Sequence, residues 1–596
     1  MGLRIDIITL NTFLGLFIFL LAIPSKKIQK KWFRGTVVTL WYLVLVVIII
    51  FSFGDVFYFG FVNRHVTKEV VALQNDIHYI IKYEMFGRYL PYTLITFLLL
   101  AIYYIPFLKI ALKPVKLPEK FATRSLYTIL LLAFIIIGIR GKITGRPFQI
   151  VDAFFDNKAS TGNLALNGFY TFYRTSFFKE NEQKRSYRHI DEAIKYVREK
   201  LKSERTEFIS EKYPLERRFT SFTSVITGSS HRKYNVIIIL LESFCAKYID
   251  SFNDGVGAKF HVTPNFDKLA SEGISFTNFY ANGVRSLDGI LAIFTGLVRP
   301  FGFDYIGFGL ELSNMSYIGR IAKANGYKTI AMQSSKRDSF KIGSTAKMAG
   351  FDQVYGAEDM KKTGDEQGYP TFGIWDRYMY DLMIKKINET GEPFLAFGFT
   401  SATHSPFKSP GKKWEKYPHN DNSVLGYLNT LYYADWAIGH FIREAKKYPW
   451  FKRTIFFFVA DHAIPLSDKP LRKMGFNIKD RPLEFMRIPL IIYAPYLLKP
   501  QKITFTASQV DIFPTILDLL KFKTPFATIS NSLFDKPAER FALNLNGYLY
   551  TLVTDHGYVQ FDQRSIYNKY GEFDFPLLIN LDKSLSYLFT TNRIYP

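Results

Sequence analysis

Ile455-Phe-Phe-Phe-Val-Ala-Asp461-His462 is an apolar, β-type run that stops on two metal-ligating side chains. Upstream, Asn235-Val-Ile-Ile-Ile-Leu-Leu-Glu242-Ser243 has the same form and stops on a carboxylate. Runs this apolar, without polar alternation, are the strands of a parallel sheet covered on both faces. In an open α/β sheet the carboxyl ends of the strands gather ligands and chemistry. Two such strands side by side predict that Glu242, Asp461 and His462 converge. Two carboxylates and one imidazole suit a hard divalent cation, the nitrogen shifting the preference towards manganese or zinc. The expectation is an enzyme with a divalent metal.

The chain has 596 residues, more than one ordinary domain. Its long apolar stretches lie in the first 140 residues. Four of them, 7–24, 36–61, 92–112 and 125–139, read as membrane spans, the last being the shortest; a spanning helix takes about 20 residues. A leader peptide accounts for the first stretch but not for three more behind it. Basic clusters in 25–34 and at Lys113, Lys116, Lys120 and Arg124 predict that these two connections face the cytoplasm. The N-terminus, the 61–91 connection and everything after residue 139 then lie on the outer face. Arg140, Lys142 and Arg146 do not reverse this, because long translocated domains escape the charge rule.

A net charge of +24 calls for an anionic partner. No basic-aromatic module or zinc-finger spacing supports nucleic acid. Much of the basic charge flanks apolar segments, where it meets lipid headgroups of the bilayer. The single cysteine, Cys245, excludes an internal disulfide.

Three regions follow: a transmembrane helical bundle of about four spans over 1–140, a helical linker over 141–233, and a domain over 234–596 in which strand and helix patterns alternate. The linker's clearest element is an amphipathic helix at 190–201. In the last region, strands are expected at 235–241, 327–332, 394–400, 454–460 and 490–494. Helices are expected at 263–272, 287–296 and 424–447. The alternation predicts a central sheet flanked by helices.

Three further residues are candidates for chemistry. Ser286 precedes a helical stretch, as either a plain N-cap or a nucleophile stabilised by the helix N-terminus and a metal. His404 follows the strand at 394–400; it is either an exposed loop residue or a group that binds a phosphate oxygen or protonates a leaving alkoxide. Arg337 follows the strand at 327–332 and is either a basic loop residue or a bidentate phosphate ligand.

With Thr263-Pro-Asn-Phe-Asp-Lys-Leu-Ala-Ser-Glu-Gly273, Asn282–Gly289, His404-Ser-Pro-Phe407 and Val510-Asp-Ile-Phe-Pro-Thr515, these residues resemble the alkaline phosphatase and sulfatase superfamily. The resemblance is to its membrane-anchored, lipoteichoic acid synthase-like branch. It extends into the linker through Gly145-Arg-Pro147 and Asn163-Leu-Ala-Leu-Asn167. It implies a sulfatase-like α/β domain behind a transmembrane bundle. One divalent ion, manganese with magnesium or zinc as alternatives, would be bound by Glu242, Ser286, Asp461 and His462. Ser286 would be the nucleophile, and His404 and Arg337 would bind substrate.

The implied reaction moves a phosphoglycerol-type headgroup from a membrane phospholipid, phosphatidylglycerol or phosphatidylethanolamine, through a seryl intermediate. The acceptor would be an envelope glycan, glycolipid or polymer. The implied place is a bacterial cytoplasmic membrane, multi-pass, with the catalytic domain outside. Alternatives are a phosphoethanolamine transferase, a phosphodiesterase or sulfatase-type hydrolase, and a catalytically silent scaffold or sensor of envelope assembly.

The chain departs from the family in carrying serine where threonine is usual and four apolar stretches where five spans are usual. Gln509 stands where two-metal relatives have histidine, which implies one ion. Ser286-Leu-Asp-Gly-Ile290 lacks the proline and arginine of a formylglycine sulfatase. A lone cysteine does not suit the disulfide-rich lipid A phosphoethanolamine transferases.

Overall fold

The computed structural model describes residues 1–23, 30–62, 65–66, 90–111, 113, 120–144, 147–153, 159–176, 187–227, 233–337, 339–537, 539–546, 549–561 and 565–596. Residues 25–29 of the basic 25–34 connection, Lys116, and Gly145 and Arg146 of the linker lie outside the described residues. The chain divides into two units, Met1–Lys184 with Gly307–Leu312, and Arg185–Ile306 with Ser313–Pro596.

In the first unit, three helices are long and apolar enough to cross a membrane: Gly2–Ala22, Lys31–Phe57 and Leu90–Lys109. The fourth expected stretch is also helical, Phe121–Arg140, and includes the shorter apolar run Ser125–Arg140. Large apolar side chains such as Leu98, Ile105, Ile129 and Phe134 point outward from these helices. This is the inverse of a water-soluble bundle and the pattern expected against lipid.

A polar group is nonetheless buried here. Asp55 accepts from Val66 N–H (2.8 Å), and its second oxygen lies 2.6 Å from His65 Nδ1. His65 Nε2 lies 2.7 Å from the Asn163 carbonyl, which ties the Asn163–Asn167 motif to this pair.

The second unit is built on an eight-stranded sheet. In chain order its strands are β1 (Asn235–Leu241), β2 (Ile274–Phe276), β3 (Lys328–Gln333), β4 (Gln353–Tyr355), β5 (Phe394–Phe399), β6 (Thr454–Ala460), β7 (Leu490–Tyr493) and β8 (Gln501–Ile503). Their spatial order is β8-β2-β7-β6-β1-β5-β3-β4. Only β7 runs antiparallel to its neighbours, so the sheet is mixed. Every residue of β1 and β6 is buried, which is why neither shows alternation. Their register runs from Asn235 opposite Thr454 to Leu241 opposite Ala460. The next residues, Glu242 and Asp461, are therefore neighbours by construction.

The helix expected at 190–201 is present, and its apolar face (Ala193, Ile194, Val197, Leu201) is buried. It packs on the C-terminal helix Phe575–Thr590, and Tyr196 and Lys200 both reach Asp574. The stretch 141–233 is thus divided between the two units.

A second, four-stranded antiparallel sheet spans Phe541–Asn546, Leu549–Thr554, Gly557–Phe561 and Ile566–Gly571. Its first strand braces the segment before Ser286: Asn544 Nδ2 donates to the Ala281 carbonyl (2.8 Å), and Asn282 Nδ2 donates to that of Leu543 (2.8 Å).

Burial separates two aromatic substitutions. Phe457→Ala, in the fully buried centre of β6, should cost about 3–5 kcal/mol. Tyr567→Ala, on the exposed last strand, should stay within about 0.5 kcal/mol. Thermal unfolding of the detergent-solubilised chain should show a large drop for the first and almost none for the second.

Candidate active site

The parallel register delivers the first two acidic groups. Asp461 N–H donates to the Leu241 carbonyl (3.1 Å), continuing the ladder past the ends of β1 and β6. Ser243 then turns sharply, with φ +50°, a left-handed conformation that serine adopts only when its surroundings demand it. The turn aims Ser243 N–H at Asp461 Oδ1 (2.7 Å) and Ser243 Oγ at Glu242 Oε1 (2.6 Å). His462 N–H donates to the same Asp461 Oδ1 (2.7 Å).

One ligand atom each from Glu242, Asp461 and His462 lies within 4.8 Å of the others. His462 Nε2 is 3.3 Å from Asp461 Oδ2 and 3.9 Å from Glu242 Oε1. Burial, reinforced by the Asp461 charge, pushes the Glu242 carboxyl well above the usual carboxylate range. Two carboxylates side by side and out of water cannot both ionise without a compensating cation. Asp461 Oδ2 is buried with no hydrogen-bond partner among the described residues. Two carboxylate oxygens, one imidazole nitrogen and an orphaned acceptor fit a single divalent ion.

Ser286 opens the helix Ser286–Thr295 and is half-buried. Three residues on, Gly289 lies against the end of β6: a Cβ there would come within 2.9 Å of the Asp461 carbonyl and 3.0 Å of Gln509 Nε2. That contact brings the helix's first turn to the acidic pair. Gln509, fully buried, donates from Nε2 to the carbonyls of Ala460 and Asp461 (2.7 Å each) and accepts from Asn282 N–H (2.9 Å). It is a strut between the end of β6 and the Ser286 loop. Beneath the helix, the buried Asp288 carboxylate meets Arg299 Nε at 3.4 Å.

His404 comes from the loop after β5. Thr400 Oγ1 in that loop accepts from Glu242 N–H (2.8 Å), and Thr403 Oγ1 donates to the Glu242 carbonyl. The loop is shaped by Asp376, a fully buried carboxylate that accepts from Ser401 N–H (2.8 Å) and Ala402 N–H (3.3 Å). His404 Nδ1 faces the Ser405 carbonyl at 2.5 Å, so that nitrogen carries the proton and Nε2 keeps its lone pair. The ring sits edge-on to Phe372 at 4.6 Å, and burial lowers its pKa.

Arg337, expected to grip substrate, is placed differently. Its guanidinium lies on the Asp359 carboxylate (2.6 and 2.8 Å) and its N–H on Glu358 (3.0 Å). An ion pair formed across two loops, invisible in the local sequence, holds it there.

Residues 234–522 match the sulfatase family. This segment resembles a sulfatase domain. The chain is 25% identical over 350 residues to the lipoteichoic acid synthase-like protein YvgJ of Bacillus subtilis (strain 168), covering 53% of each chain. It is 28% identical over 243 residues to phosphoglycerol transferase I of Salmonella typhi, covering 39% of this chain and 31% of that one. The chain spans about half the length of the curated relatives it matches. The crystal structure of the lipoteichoic acid synthase LtaP from Listeria monocytogenes superposes with TM-score 0.52 at 18% identity, over 67% of this chain and 97% of that one. Over the superposed part, the chain thus shares its fold with that synthase.

Two measurements test the site. If the acidic trio holds an ion, Mn2+ should raise the thermal unfolding temperature of the parent chain but not of Asp461→Asn or His462→Ala; an equal rise in all three would refute the assignment. Burial raises the Asp376 carboxyl to about 6. The stability of its protonated form is therefore fully present below about pH 4 and lost as pH rises through about 6, by about 3 kcal/mol. In Asp376→Asn this loss should disappear, flattening the stability profile between pH 4 and 7.

Proposed function

We propose that this protein transfers a phosphoglycerol-type group from a glycerophospholipid, phosphatidylglycerol above all, to a hydroxyl of an envelope glycan, glycolipid or growing polymer. The observation that carries the reading is the buried trio Glu242, Asp461 and His462 at adjoining strand ends, with the Ser286 helix clamped against Asp461 through Gly289. Support comes also from relatives named lipoteichoic acid synthase and phosphoglycerol transferase.

Glu242, Asp461 and His462, with Ser286 as a fourth ligand, would hold one divalent ion, manganese by preference. When bound, the ion lowers the pKa of the serine hydroxyl and offsets phosphate charge. Ser286 Oγ, at the positive end of its helix, gives up its proton to water and attacks phosphorus; the bond from phosphorus to the diacylglycerol oxygen breaks, that oxygen takes up a proton from water, and phosphoglycerol remains esterified to the serine. His404, on the loop tied to Glu242, would orient a phosphate oxygen of the substrate as an Nε2–H donor once that nitrogen takes up a proton, its Nδ1 already donating to the Ser405 carbonyl. The acceptor hydroxyl then attacks the same phosphorus while its proton passes to Ser286 Oγ, which leaves as the restored hydroxyl.

Spans near the N-terminus, with the sulfatase-like domain on the outer side of a bacterial cytoplasmic membrane, would keep the site beside a two-dimensional pool of lipid donor. The basic connections at 25–34 and 113–124 support that orientation.

Incubating the purified chain with radiolabelled phosphatidylglycerol and Mn2+ should release diacylglycerol and add a phosphoglycerol mass to the peptide containing Ser286. Ser286→Ala should reduce release by at least about a thousandfold while leaving the unfolding temperature unchanged. Undiminished release in that variant would remove the serine from the reaction.

A further inference from the structure

Two arginines flank one tyrosine beside the Ser286 loop. Arg299 lies over the Tyr305 ring at 4.1 Å and Arg285 at 4.9 Å. Their circumstances differ. Arg299 is buried; its Nε faces Asp288 Oδ1, and its Nη1 donates to the Phe303 carbonyl (2.9 Å). Arg285 is exposed, and among the described residues no carboxylate or carbonyl engages its guanidinium. Asp288, three residues on, is already paired with Arg299. The Arg285 guanidinium thus rests over the Tyr305 ring, a contact that uses none of its N–H groups as hydrogen-bond donors to an oxygen.

The backbone fixes where those edges act. Arg285 is the residue immediately before Ser286 and the N-cap of the Ser286–Thr295 helix, with extended φ and ψ of −129° and 148°. Its carbonyl accepts from Asp288 N–H (2.9 Å), so the N–H groups of Ser286 and Leu287 remain orphan donors of the first turn. An uncompensated guanidinium on the residue that caps the Ser286 helix, and the orphan N–H groups of that helix's first turn, both favour an anion beside Ser286. Arg337, the other candidate guanidinium, is already occupied by Asp359.

We propose that Arg285 is the phosphate-gripping cation of this site, binding a phosphodiester or phosphomonoester oxygen through its free N–H edges while Tyr305 orients it. The inference rests on the transferase reading for the identity of the phosphate, which belongs either to the lipid donor or to a phosphorylated acceptor.

Calorimetric titration of the full chain in detergent with Mn2+ tests it, using inorganic phosphate and sn-glycerol-1-phosphate as probes. Arg285→Ala should weaken both by about tenfold or more, the scale of one charge-assisted contact. Arg285→Lys, which keeps charge without the fork, should weaken them less, and Arg337→Ala by less than about twofold. The exposed position predicts an unchanged unfolding temperature for both Arg285 variants. Equal affinity of Arg285→Ala and the parent overturns the proposal, as does a parent that binds neither probe.

The source of the phosphate follows from diacylglycerol release from phosphatidylglycerol vesicles. A slower release by Arg285→Ala without acceptor marks the donor phosphate. A loss seen only with glycerol phosphate as acceptor marks the acceptor. Phosphate binding that depends on Arg285 in a parent releasing no diacylglycerol would sink the transferase reading and leave this inference standing.

Discussion

Repulsion between Glu242 and Asp461 is the constraint that the rest of the sulfatase-like domain answers. The register of β1 on β6 leaves no choice about their proximity, because Leu241 and Ala460 pair immediately before them. Nothing in the strands relieves the charge. Relief comes from donors brought in afterwards: Ser243 contributes its N–H and its hydroxyl only by accepting a left-handed backbone, and His462 contributes its N–H. Even so, Asp461 Oδ2 remains without a donor. A strained residue and an unsatisfied buried acceptor at one point are costs of order a kcal/mol each or more. Both are offset if a cation completes the site.

The same constraint explains why remote parts of the chain converge here. A sheet end fixes two acids but not the groups that act on a substrate. Those arrive on loops, each tied back to β1 or β6 by a specific contact. Thr400 and Thr403 hold the His404 loop to the backbone of Glu242, and Asp376 shapes that loop from below. Gln509 joins the end of β6 to Asn282, and Asn282 in turn binds the C-terminal sheet through Leu543. Gly289 removes the one side chain that would hold the Ser286 helix away from Asp461. The C-terminal sheet therefore supports the segment leading to the serine, although it contributes no residue to the acidic trio.

Legibility in the sequence followed burial and length. The strands β1, β5, β6 and β7 and the helix Val424–Ala445 are long or wholly apolar, so their identity is local, and Glu242, Asp461 and His462 could be placed together from them. The two- and three-residue pieces were not legible. β2, β4 and β8 are too short to carry a period and become strands only through their neighbours. The strand Ile566–Gly571 is exposed along its whole length, so hydrophobic patterning could not reveal it. Side-chain engagement across loops was equally invisible. Nothing near Arg337 in sequence announces Asp359, and nothing about Gln509 announces a strut rather than a vacant histidine position. Asp376 carries the clearest missed signal, an acidic residue opening a helix directly after Trp375, yet its partners lie on the next strand's loop.

The serine at position 286 can be weighed on the same physical terms. Threonine has a γ-methyl that restricts χ1, so a threonine nucleophile arrives partly oriented, whereas serine samples three staggered wells more evenly. Selecting one well of three costs about 0.6 kcal/mol, less than half of a tenfold rate effect. The remaining freedom is already limited: the Gly289 contact fixes the helix against Asp461, and Arg299 holds Asp288 within the same first turn. With Cα and Cβ fixed by that packing, one torsion is left, and coordination of the hydroxyl would settle it. In the proposed mechanism the missing methyl therefore costs little, and the integrity of the helix anchorage, more than the choice of hydroxyl, governs whether the group can reach phosphorus.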